Sequence, residues 1–95
     1  RVVVLAAGGL SHWVGYEPKV NEAWDRQFLA DLEAGQFLGW AGRSKDEILE
    51  AAGNGGLEVI HWLFMAAAVR AQKSETIYYE AIPEWMTGMG GIEAV

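Results

Sequence analysis

Val2-Val3-Val4-Leu5-Ala6-Ala7, followed without a break by Gly8-Gly9-Leu10-Ser11-His12, is the stretch on which the fold reading turns. Its apolar run is continuous rather than alternating, as expected of a central strand covered on both faces. Gly8-Gly9 ends the predicted strand and leaves His12 on a loop just past its end, the edge at which open α/β sheets bind ligands. A second glycine-rich string, Gly53-Asn54-Gly55-Gly56-Leu57-Glu58, opens the longest apolar helix pattern in the chain. Each string sets one reactive side chain, a histidine and a carboxylate, at the end of a regular element beside glycines that keep the backbone open.

Between the two strings the pattern is helical. Asn21 is a good N-cap for a helix whose Trp24, Phe28 and Leu32 fall at i, i+4 and i+8, and Gly35 supplies its left-handed stop. Ser44-Lys45-Asp46-Glu47 reads as a capping box opening a short helix that buries Ile48 and Leu49 and ends at Gly53. Asn54 is expected to cap a third helix through Leu57, Ile60, Phe64 and Ala68 to about Ala71. Thr76-Ile77-Tyr78-Tyr79 has strong strand character. Pro83 interrupts it, and Glu84 to Gly91 reads as a loop, with Ile92 to Val95 available to pair again. The order strand, three helices, strand predicts an α/β fold: a layered sheet-and-helix section of a larger α/β domain.

Composition narrows the function. The chain has 95 residues, suited to one small domain, yet 52% are hydrophobic and five are Trp. That is more large apolar surface than a small core hides, so either an aromatic-lined pocket or faces that pack on further chain or a partner are expected. A net charge of −6 without a basic cluster argues against nucleic acid. No cysteine is present, which excludes disulfides and thiolate metal sites. The longest apolar run, Trp62 to Val69, falls far short of the ~20 residues that span a bilayer. A cytoplasmic enzyme is the expectation, and neither nucleic acid nor membrane is an expected partner. The glycine clusters lack the spacing of phosphate-binding loops.

His12 can take or give a proton near neutral pH, or it can simply bond a nearby carbonyl. Glu58, in the first turn of an apolar helix, either complements the helix dipole or, among Val59, Ile60, Trp62 and Leu63, meets a cation that offsets its desolvation. His61 lies one turn beyond Glu58, so His12, Glu58 and His61 could together form a metal triad, although a packing role for His61 is the stronger reading. Diiron bundles use the same Glu-x-x-His spacing, but twice. Trp13, Tyr16, Trp62 and Trp85 could line a flat aromatic slot or belong to the core.

The strings Gly8-Gly9-Leu10-Ser11-His12 and Gly53-Asn54-Gly55-Gly56-Leu57-Glu58 resemble the C-terminal part of the catalytic (beta) subunit of class III extradiol dioxygenases, the protocatechuate 4,5-dioxygenase group. The resemblance runs along nearly the whole chain. It implies that residues 1–95 are the C-terminal part of a single catalytic domain whose N-terminal part is missing. It also implies an iron(II) centre that opens a catecholic aromatic acid with O2, beside one hydroxyl, to give a semialdehyde. Glu58 would be the carboxylate of a two-histidine, one-carboxylate iron site, and His12 an acid/base that does not bind iron. Thr87, Trp13 and Trp85 would lie against the substrate. Both iron histidines would belong to the missing part of the same subunit, so the segment alone should be inactive. A small alpha subunit or a homo-oligomer is a further implied partner. The competing reading is a non-catalytic relative that keeps the scaffold as a small-molecule-binding or interaction module.

Overall fold

The computed structural model describes residues 3–15 and 19–94. Four helices precede a two-stranded antiparallel sheet, so the segment is α/β. They are α1 (Glu22–Glu33), α2 (Leu38–Ala41), α3 (Lys45–Gly56) and α4 (Val59–Ala68), and the strands are β1 (Ser74–Ile82) and β2 (Thr87–Ala94). Helix α1 forms as its sequence dictates. The Asn21 side chain accepts the Trp24 N–H, Trp24, Phe28 and Leu32 are buried, and Gly35 stands at φ +74° after the last turn. Phe28 is the centre of the core. Trp24 stacks on it at 5.8 Å between centroids, while Trp40 and Trp62 meet it edge-on at 5.1 and 6.0 Å. Such edge-to-face pairs add about 0.5–1.5 kcal/mol each beyond the area they bury. Trp62 is therefore core, and its indole N–H donates to the Gly8 carbonyl at 3.0 Å.

Several expectations are corrected. Residues 3–7 form no strand; Val3 and Leu5 are 79% and 88% exposed, and no described sheet edge is offered to them. Val2 lies outside the described residues, as do Tyr16 and Pro18. Helix α4 buries Val59, Trp62, Leu63 and Ala66, leaving Ile60 and Phe64 exposed. The expected stripe through Leu57, Ile60, Phe64 and Ala68 is thus the outer side of a helix apolar all round, for which periodicity cannot select a face. In α3 the Ser44 hydroxyl accepts the Glu47 N–H as expected, but Ile48 is only half-buried and Leu49 is exposed.

The segment after Pro83 is not a loop. Pro83–Trp85 makes one 3₁₀ turn, Met86 takes a left-handed conformation, and Thr87 to Ala94 pair with β1, Thr87 opposite Ile82 and Ala94 opposite Ser74. The glycines of β2 serve close approach. A Cβ on Gly91 would lie 2.6 Å from the Tyr78 ring, one on Gly90 would crowd Leu10, and one on Gly88 would fall on the Asp25 carboxylate. Glycine in a strand is expected where another group approaches this closely. Among the described residues no helix is long and apolar enough to cross a membrane.

Candidate active site

The two glycine-rich strings meet in space. Residues 10–12 run between β2 and the end of α3 and are held from both sides. Toward β2, the Leu10 N–H donates to the Gly88 carbonyl at 3.4 Å, the Gly88 N–H donates to the Ser11 carbonyl at 2.9 Å, and His12 bridges Thr87. Toward α3, the His12 N–H donates to the Ala52 carbonyl at 2.9 Å and its carbonyl accepts the Gly55 N–H at 3.0 Å. These two α3 groups are free because Gly53 breaks the helix at φ +83°, ψ 173°. Only glycine adopts that conformation readily, and the break turns a helical carbonyl and amide into partners for another strand of chain. The expected end of the helix at Gly53 is therefore present as a break. Asn54 does not cap the next turn; its amide instead clamps the Val14 backbone, accepting its N–H at 2.8 Å and donating to its carbonyl at 3.0 Å.

His12 is mostly buried, in a slot between two glycines. A Cβ on Gly9 would lie 2.7 Å from the ring, and one on Gly55 would overlap it. Nδ1 is 2.9 Å from the Leu10 carbonyl. A carbonyl can only accept, so Nδ1 carries the proton and Nε2 is the free nitrogen. Nε2 faces Oε1 of Glu58 at 3.4 Å. The other carboxylate oxygen, Oε2, accepts the Gly9 N–H at 3.0 Å. Glu58 is the N-cap of α4, but its side chain makes no hydrogen bond to the helix and is 47% exposed. The carboxylate is thus not buried among Val59, Trp62 and Leu63, and the desolvation argument for a cation drawn from those neighbours does not hold. What favours one is the facing pair itself: with His12 neutral, a nitrogen lone pair and an anionic oxygen oppose each other, and a proton or a cation between or beside them relieves this.

Behind this pair lies a group that the sequence pattern did not expose. Asp25, on α1, is completely buried. Its Oδ1 accepts the Ser11 N–H at 2.8 Å, and its Oδ2 accepts the Ser11 hydroxyl at 2.8 Å and the Tyr79 hydroxyl at 2.6 Å. The Ser11 oxygen in turn accepts the Asn21 N–H at 2.8 Å. Burial raises the Asp25 carboxyl above its ordinary 3.8, while the Tyr79 and Ser11 hydrogen bonds, and His12 when it is protonated, pull it back. The only signal in the sequence was an acidic residue between Trp24 and Phe28 on a core-facing helix, and first-turn dipole complementarity explains that equally well.

The remaining candidates are placed unevenly. Thr87 stands beside His12, its oxygen 3.4 Å from where a Gly9 Cβ would lie, and its hydroxyl donates to the Gly88 carbonyl at 3.0 Å. Trp13 is half-buried against Gly53, with the Lys19 ammonium 4.5 Å from its ring centroid. Trp85 is 66% exposed on the 3₁₀ turn. His61 is exposed and lines a cleft with Val4 to Ala7 and Phe64. Among the described residues no three His, Asp or Glu side chains are grouped to hold a metal ion, so His12, Glu58 and His61 do not make a triad.

The family model described as the catalytic LigB subunit of aromatic ring-opening dioxygenase matches residues 1–90, a span that takes in both glycine-rich strings. The chain belongs to this family. Among curated relatives, the 2,3-dihydroxyphenylpropionate/2,3-dihydroxicinnamic acid 1,2-dioxygenase of Burkholderia vietnamiensis is 38% identical over 78 residues, and that of Escherichia coli K12 is 36% identical over the same length. Each alignment takes in 79% of this chain and 25% of the relative, so the chain spans about a quarter of the length of the dioxygenases it matches. No solved structure matches it.

Proposed function

We propose that this segment is the C-terminal part of the catalytic domain of a cytoplasmic extradiol dioxygenase, and that it supplies one iron(II) ligand, Glu58, and one acid/base, His12. The observation that carries the reading is the meeting of the two glycine-rich strings, which brings His12 Nε2 and Oε1 of the half-exposed Glu58 to 3.4 Å. Glu58 fits a ligand role: Oε2 is anchored by the Gly9 N–H, the kind of supporting hydrogen bond that orients ligating carboxylates, and Oε1 is left to a hard cation. The other ligands would come from residues outside this segment. Iron(II), when bound, would supply a template for the catechol and O2 and stabilise developing charge.

The chain's own residues then do the following. His12 holds its Nδ1 proton on the Leu10 carbonyl, so only Nε2 exchanges a proton with the substrate. The Gly9 and Gly55 slot fixes the aim of the ring. Thr87 and Trp13 flank His12 and would touch the substrate's ring or its acid group; Trp85, exposed, would do so only at the rim. The names of the relatives favour a catechol bearing a three-carbon acid side chain over protocatechuate, which remains the narrower alternative. Partner copies or a small alpha subunit would complete the assembly.

The test uses the full-length protein that carries this segment. Glu58→Gln should lose most of its iron and keep its fold, since a neutral amide is a poor ligand for a hard cation. His12→Gln should keep its iron and lose ~10²–10⁴-fold in turnover, the usual worth of general acid/base help. Full iron loading in Glu58→Gln, or loss of iron in His12→Gln, would overturn the assignment.

A further inference from the structure

The peptide unit joining Leu10 to Ser11 links two hydrogen bonds end to end. Its N–H donates to Asp25 Oδ1 at 2.8 Å, and its carbonyl oxygen, belonging to Leu10, accepts the His12 Nδ1 proton at 2.9 Å. This peptide is trans, so the two groups point in opposite directions from one rigid plane. We propose that Asp25 is the positioning residue for His12. Acting through this single peptide plane, it fixes the Nδ1–H tautomer and the aim of Nε2 toward Glu58. The inference rests on the reading of His12 as the acid/base and adds the group that orients it.

Three features support a role beyond packing. The carboxylate is completely buried, a costly choice where an apolar residue would fill the space, and all three of its partners are donors, as an acceptor-only ionised carboxylate requires. Two of those donors belong to Ser11, the residue immediately before His12, so the clamp acts at the point that sets where the histidine emerges. A carboxylate bonded to the N–H of a peptide also polarises its carbonyl, which makes Leu10 a stronger acceptor for the His12 proton. Tyr79 holds Oδ2 from β1, and Gly88 leaves the space that Oδ2 occupies. The arrangement matches the logic of a nucleophile-activating triad, in which a carboxylate orients a histidine and selects its tautomer, with a peptide unit inserted between the two.

Asp25→Asn in the full-length, iron-loaded protein tests it. Asn can still accept the Ser11 N–H, but it meets the two hydroxyls with donors, which weakens the clamp. The expected result is a fall in kcat of ten-fold or more with iron content and KM little changed, and a mixture of His12 tautomers in the ¹⁵N spectrum of histidine-labelled protein. In a His12→Gln background, Asp25→Asn should then cost nothing further in kcat, because residues that act as a unit are not additive. The same fold-loss in both backgrounds, or a wild-type tautomer signature in Asp25→Asn, would overturn the proposal. If His12→Gln itself left turnover unchanged, the acid/base reading would fall first, and the proposal with it, whatever Asp25→Asn did. Should Asp25→Asn fail to fold, Tyr79→Phe removes one donor from the same carboxylate. It should lower kcat less, again only when His12 is present, and no loss there would count against Asp25.

Discussion

Replacing Gly55 with Ala separates the fold from the site, because the two respond by very different amounts. Gly55 lies in α3 past the break and has no positive φ, so in helix terms Ala should stabilise by about 0.5–1 kcal/mol. The added Cβ, however, lands on the His12 ring, overlapping Nε2, Cδ2 and Cε1. The ring cannot back away along the chain, since the His12 N–H and carbonyl are tied to Ala52 and to Gly55 itself. It must rotate out of the slot and give up the Leu10 bond, worth about 0.5–1.5 kcal/mol, and residual crowding adds about 1–3 kcal/mol. The net loss of stability is then about 0.5–4 kcal/mol, within reach of a folded protein. Turnover should fall much further, by ~10²–10⁴-fold, as if His12 had been removed. The assay is kcat on a catechol with iron content and thermal midpoint measured on the same preparation. Gly39→Ala serves as control, because a Cβ there meets nothing within 4 Å. Turnover within about three-fold of wild type in Gly55→Ala would mean that the ring's place in this slot does not matter, since a displaced general base costs at least ~10²-fold.

Two further outcomes are expected. Thr87→Val should weaken carboxylated catechols by about 0.5–1.5 kcal/mol and spare those without the acid group; the hydroxyl must turn from the Gly88 carbonyl to do this, and that carbonyl keeps the Leu10 N–H. Equal losses for both kinds of substrate would remove Thr87 from the acid-binding position. Tyr79 gives a pH signature. Burial first, and the Asp25 hydrogen bond second, raise its hydroxyl above the ordinary 10.0, so the folded state holds the proton more tightly than the unfolded one. That contribution to stability is complete below the unfolded value and is lost as pH rises through the folded value. Denaturant midpoints measured from neutral to strongly alkaline pH should fall less steeply in Tyr79→Phe than in wild type, and parallel curves would refute the assignment.

Helix α1 and strand β1 were legible in the sequence because their signals are local. A capping Asn21, a spacing of four between Trp24, Phe28 and Leu32, a glycine stop and a β-branched, aromatic run each decide structure within a few residues. The failures have one physical origin, which is that the deciding partner lies far along the chain. The Val3–Ala7 run has strand composition, but a strand exists only against an edge, and none is present for it among the described residues. Helix α4 is apolar on every side, so the choice of buried face falls to Trp62, whose indole bonds Gly8. The glycines of β2 read as loop because composition does not distinguish a glycine that gives freedom from one that makes room. Here Tyr78, Leu10 and Asp25 fill the room.

The site divides the same way. His12 and Glu58 stood out because each ends a glycine-rich string, and the structure brings them to 3.4 Å. The strings carried more than their reactive residues, since each glycine has a task set by the other string. Gly53 breaks α3 so that Ala52 and Gly55 can hold the His12 backbone, Gly9 and Gly55 form the walls of its slot, and the Gly9 amide anchors Glu58. Asp25 was invisible for the converse reason. It reaches His12 through a backbone amide, and a backbone amide is present at every position, so no residue type in the string marks the contact. A carboxylate that meets a side chain through the main chain leaves one trace in sequence, an acid on the buried side of a helix, and its meaning emerges only when the donors around it are located.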